Sequence, residues 1–69
     1  MNATDTILYL IELLLVYLDE LKEIKDGSAS PFAYGEKTAY TECLEVLQQW
    51  DGANRNGLDF DIEKRYPLL

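Results

Sequence analysis

Ile7-Leu-Tyr-Leu-Ile-Glu-Leu-Leu-Leu-Val-Tyr-Leu-Asp-Glu-Leu-Lys-Glu-Ile24 is the stretch that decides the fold. At 100° per residue Ile7, Leu10, Ile11, Leu14, Tyr17, Leu18, Leu21 and Ile24 share one broad helical face, and Glu12, Asp19 and Glu23 mark the opposite one. Leu8 and Leu15 lie beside the polar strip on one side, with Tyr9, Leu13 and Val16 around the other. One partner helix cannot cover so wide an apolar arc, and a helix that is apolar nearly all round is buried by several neighbours. The spacing therefore predicts a helix over about 4–26 that needs more covering than a single antiparallel partner supplies.

Working outward, Thr4 or Asp5 is the expected N-cap, and Asp5 suits the positive end of the helix dipole. Lys22 and Lys25 sit in the last turns, and Asp26-Gly27 is a stop signal. Residues 27–31, Gly-Ser-Ala-Ser-Pro, form a short polar connection of the kind that joins antiparallel helices. Ser30-Pro31 suits the cap and first residue of a second helix over about 32–51, ended by Asp51-Gly52. Its polar side reads Lys37, Thr38, Thr41, Glu45, Gln48 and Gln49, and its apolar side Ala39, Tyr40, Cys43, Leu44, Val46, Leu47 and Trp50. Gly35, Ala39 and Cys43 recur every four residues as a small-residue groove, expected to receive the ridges of the first helix.

The remaining residues, 52–69, contain the turn-forming Asn54-Arg-Asn-Gly57. Leu58, Phe60 and Ile62 alternate with Asp59 and Asp61, but a lone strand has nothing to pair with. An extended segment or a helical turn over residues 60–65, lying across the hairpin with Tyr66, Leu68 and Leu69, is the expectation.

Composition limits the rest. Sixty-nine residues make a single domain, and a core of that size usually needs disulfides, a metal or oligomerisation. One cysteine excludes an internal disulfide, and the absence of histidine removes the commonest metal ligand and general base. Oligomerisation is left. Thirteen acidic against six basic residues give a net charge of −7, which disfavours direct contact with nucleic acid or anionic membranes. The N-terminus lacks the basic region of a secretory signal, and Glu12, Asp19 and Glu20 interrupt any membrane span, so a cytoplasmic location is expected.

The candidate site residues each have a plain reading. Glu36 projects between Ala39, Tyr40 and Cys43: the plain reading is a first-turn carboxylate satisfied by free N–H groups or a tyrosine hydroxyl, and the functional one a buried polar anchor in a pocket or dimer seam. Cys43, with acidic neighbours Glu42 and Glu45, reads as a buried small hydrophobe rather than a nucleophile. The carboxylates Glu12, Asp19, Glu20, Glu23, Glu42 and Glu45 read as a solvated face, because helical carboxylate metal centres use inward Glu-x-x-His motifs. The eight aromatics read as packing and interface residues. No catalytic, cofactor or metal site is expected.

Residues 32–50, Phe-Ala-Tyr-Gly-Glu-Lys-Thr-Ala-Tyr-Thr-Glu-Cys-Leu-Glu-Val-Leu-Gln-Gln-Trp, resemble a group of small uncharacterised bacterial helical proteins that share a Tyr-Gly-Glu-x-x-Ala-Tyr-x-Glu-x-Leu-Glu pattern. The resemblance covers roughly a third of the chain and implies no activity, the group being of unknown function.

The expected architecture is an all-α antiparallel hairpin with an irregular C-terminal tail, paired into a homodimeric four-helix bundle. Its seam would draw on those of Leu8, Tyr9, Leu13, Leu15 and Val16 that hairpin and tail leave uncovered. The expected function is a non-catalytic interaction or structural module acting as a homodimer. The alternative is an acidic inhibitor or antitoxin-like regulator that occupies a basic protein surface. An enzyme is the remaining class.

Overall fold

A computed structural model describes residues 1–23 and 31–67. The chain forms α1 (Ala3–Lys22), α2 (Pro31–Leu47), a 3₁₀ turn (Asn54–Asn56) and the short α3 (Ile62–Arg65), with no strand among the described residues. The two long helices pack against each other. Their direction follows from which residues meet. Leu10 and Leu14 of α1 share a groove with Ala39, Cys43, Val46 and Leu47, whereas Tyr17 and Leu21 share a cleft with Glu36 and Tyr40. Advancing along one helix retreats along the other, so the pair is antiparallel.

The start of α1 differs from the expectation. Asn2, not Thr4 or Asp5, is the N-cap: its side-chain oxygen accepts from the Asp5 N–H at 2.8 Å, and the Thr6 hydroxyl donates to the Asn2 carbonyl at 3.0 Å. Asparagine in extended backbone satisfies an orphan first-turn donor as well as threonine or aspartate does. At the other end the described helix stops at Lys22, with the Glu23 N–H on the Glu20 carbonyl at 3.2 Å. The connection expected over 27–31 lies outside the described residues apart from Pro31, which begins α2.

Three layers meet in the core. Ile11 and Leu18 come from α1 and Leu44 from α2, but Ala53, Leu58, Ile62 and Tyr66 all come from the C-terminal segment. That segment is thus as much core as either helix. The helical turn expected over residues 60–65 is present as α3, capped by Asp61, whose carboxylate accepts from the Glu63 and Lys64 N–H groups. Polar bonds fix the segment's position. The Gln48 side-chain amide donates to the carbonyls of Leu58 (3.0 Å) and Phe60 (2.8 Å). The buried Tyr66 ring sends its hydroxyl to Asp19 of α1 at 2.7 Å, and the Lys37 ammonium donates to the Pro67 carbonyl at 3.2 Å.

The face of α2 that α1 and this segment choose overturns part of the expected pattern. Thr41, expected on the polar side, is 3% exposed. Its hydroxyl is satisfied within the helix by the Lys37 and Thr38 carbonyls at 2.9 and 3.0 Å, so burial leaves no orphan donor. Gly35, Ala39 and Cys43, expected to receive α1, are exposed. The helix is turned so that Tyr40, Leu44 and Leu47 approach the core and the small residues face away.

Two glycines make opposite demands. Gly57 has φ of +98° and closes the 3₁₀ turn, with the Leu58 N–H reaching back to the Ala53 carbonyl at 3.0 Å. Gly35 lies inside α2, and a Cβ built on it meets nothing within 4 Å. In urea unfolding Gly35→Ala is expected to raise stability by about 1 kcal/mol and Gly57→Ala to lower it by about 1–2 kcal/mol; the same sign for both would contradict these backbone assignments.

Tyr66 gives an alkaline signature. Burial, then the bond to Asp19, pushes its hydroxyl from 10.0 up to about 12. A proton held more tightly in the fold than in the unfolded chain adds stability that is complete below pH 10 and is lost as pH rises toward 12. Tyr66→Phe should cost about 1 kcal/mol near neutrality, and its deficit against the parent should shrink across that alkaline window. A deficit constant with pH would contradict the assignment.

Candidate interaction face

Because the C-terminal segment covers one side of the two-helix layer, the other side stays open. Along α1 the row Leu10, Leu14, Tyr17, Leu21 borders that side; along α2 the row is Ala39, Cys43, Val46, ending near Phe32. Between the rows runs a groove of about 550 Å³ lined by Leu10, Leu14, Ala39, Glu42, Cys43, Val46 and Leu47. Val46 is 69% exposed and Phe32 76%, so these large apolar side chains find little cover among the described residues. Tyr9, Val16 and Tyr34 are also substantially exposed.

The expected seam residues divide. Tyr9 and Val16 are exposed on α1, Leu8 and Leu13 are half-buried, and Leu15 packs against the core. Of the small-residue row, Ala39 and Cys43 line the groove and lower its wall instead of receiving α1, and Gly35 is exposed without lining it. Cys43, expected to be buried, is exposed.

Glu36 is half-buried and accepts the Tyr40 hydroxyl at 2.9 Å. The bond, with burial and the carboxylate charge, raises the Tyr40 hydroxyl above its ordinary range. Tyr40 in turn stacks on Tyr17 with ring centroids 5.4 Å apart and planes tilted by 36°. The pair lines a cleft of about 300 Å³ with Tyr17, Glu20 and Leu21, at the α2 N-terminal end of the open side. The arrangement orients Tyr40 and Tyr17 and places two carboxylates at the edge of an aromatic surface.

The cations lie on one side, whereas carboxylates occur on both: Asp19 accepts from Tyr66, and Glu45 and Glu63 line a cleft beside Tyr66 that Glu42 also borders. The described basic residues attach to the covered side or to the C-terminal segment. Lys22 lies 5.5 Å from the centre of the Tyr66 ring, Lys37 bonds Pro67, Arg65 lies over Phe60 at 4.7 Å and Tyr66 at 5.6 Å, and Arg55 and Lys64 are in the segment itself. None of them lines the groove or the aromatic cleft, whose charged members are Glu42, Glu20 and Glu36.

Leu10 and Val46, on the apolar faces that the spacing gives, are exposed on this side, whereas Leu14 borders the groove and also packs against the core. The signal that separates the faces is Gln48 and Thr41 flanking Leu44: side chains that bond the backbone and so accept a packed neighbour. Among the described residues no group of three or more His, Cys, Asp or Glu side chains is placed to hold a metal ion, and no helix is long and apolar enough to cross a membrane. No protein-family model, curated protein or solved structure matches the chain.

The exposure of Cys43 is directly measurable. In dilute native protein a thiol reagent is expected to label it near the rate of the denatured chain, as an accessible cysteine is labelled; a rate limited by global unfolding would bury it.

Proposed function

We propose that the protein is a non-catalytic interaction module that works through the open face of its hairpin. The observation that carries the reading is the uncovered row of Leu10, Ala39, Cys43 and Val46 along a groove between two helices that are otherwise packed on the far side. Contiguous exposed apolar surface of this kind marks interaction sites on small proteins. A second copy docked there would complete a homodimeric four-helix bundle. A basic surface of another protein would make the chain an acidic regulator, and the absence of any described basic side chain from the groove and the aromatic cleft favours that second reading. In both cases the helices present a surface and carry out no reaction, and the chain works in the cytoplasm without cofactor, nucleic acid or lipid.

Cys43, inside the groove, reports its occupation. Its labelling rate should fall as purified protein is concentrated or as clarified lysate of its native cells is added, and Val46→Glu should restore the dilute rate with little change in unfolding midpoint, because Val46 is 69% exposed. An unchanged rate in both titrations would contradict an interaction role for this face.

A further inference from the structure

Resting on that reading, we propose that the occupant of the open face is a basic amphipathic helix of another protein, in preference to a second copy of this chain. Groove shape and charge carry the inference together. The α2 row from Phe32 to Val46 extends about 21 Å, the length of four helical turns. Ala39 and Cys43 form a low stretch of the α2 wall, continued by Val46 and Leu47 and opposite Leu10 and Leu14 of α1, and leave room for the backbone of a helix to approach closely. A helix laid there presents apolar side chains at i, i+3, i+4 and i+7.

The charges around that seat select its partner. Glu42 lines the groove, and Glu20 and Glu36 line the cleft that continues it past Tyr17 and Tyr40. A second copy brings the same three carboxylates against these and doubles the net charge of −7, with no cation from the five described basic residues to intervene. Lys25, the sixth, lies outside the described residues. Lysines or arginines flanking the apolar stripe of an incoming helix instead meet Glu42 at one end and Glu36 and Glu20 at the other. Glu36 and Glu42 are about 9 Å apart along the α2 axis, so basic residues about two turns apart reach both.

The full chain can be tested with two synthetic amphipathic helices of about 18 residues, sharing one leucine stripe and flanked either by lysine or by glutamate. The lysine peptide is expected to bind, to protect Cys43 from labelling, and to weaken at least about tenfold between about 50 mM and about 500 mM salt. The glutamate peptide should not bind. Glu42→Gln should weaken the lysine peptide severalfold. Val46→Glu should abolish its binding, although attraction to the acidic surface at large would be strengthened by the added charge.

Equal binding of both peptides, or lysine-peptide binding that leaves Cys43 unprotected or survives Val46→Glu, overturns the proposal. If the lysine peptide fails and Cys43 is protected by concentrating the protein alone, the occupant is a second copy: the inference falls and the interaction module stands. If neither the peptides, self-concentration nor lysate protects Cys43, both fall.

Discussion

The position of the C-terminal segment on one side of the hairpin governs everything else in the molecule. Leu58, Ile62 and Tyr66 are buried there against Ile11, Leu18 and Leu44. Burial of three such side chains contributes roughly 2 kcal/mol each, against about 1 kcal/mol for each of the hydrogen bonds from Gln48 and Tyr66. Apolar burial therefore holds the segment down, and the polar bonds set where it lies. Gln48 fixes the backbone at Leu58 and Phe60, and Asp19 receives Tyr66 at the other helix.

Covering one side determines the character of the other. Two helices offer two sides, and a segment of this length covers only one. The cations follow it: Lys22 and Arg65 rest on Tyr66 and Phe60, and Lys37 is tied to Pro67. The open side keeps the apolar row and the carboxylates of Glu20, Glu36 and Glu42. A chain with net charge −7 thus presents a face more one-signed than its composition implies, and screening weakens that field beyond about 10 Å at ordinary salt.

The hairpin and its helical turn were legible in the sequence because periodicity and stop signals are local. The Ile7–Ile24 pattern, Pro31 at a helix start and Gly57 at a left-handed turn each depend on their immediate neighbours. Which face of each helix is buried was not legible to the same degree. The apolar arc of α1 is wide enough to accept the partner at several rotations, so the choice falls to the C-terminal segment. Thr41 illustrates it: its hydroxyl bonds the preceding turn, so this polar residue is buried while Cys43 is exposed. Glu36 was placed correctly beside Tyr40, four residues away on one helical face, because that contact is local too. The exposed groove depended on long-range competition among three layers, which spacing alone does not encode.

Removal of the chain beyond Gly57 probes the governing contact most directly, with thermal unfolding followed by far-ultraviolet circular dichroism. Stability for a chain of this size is roughly 3–10 kcal/mol, comparable to the apolar burial the truncation removes. The account predicts that the truncated chain loses its cooperative transition. A truncated chain that melts cooperatively at the parent's midpoint would show that the two helices hold each other without the third layer, and would contradict it.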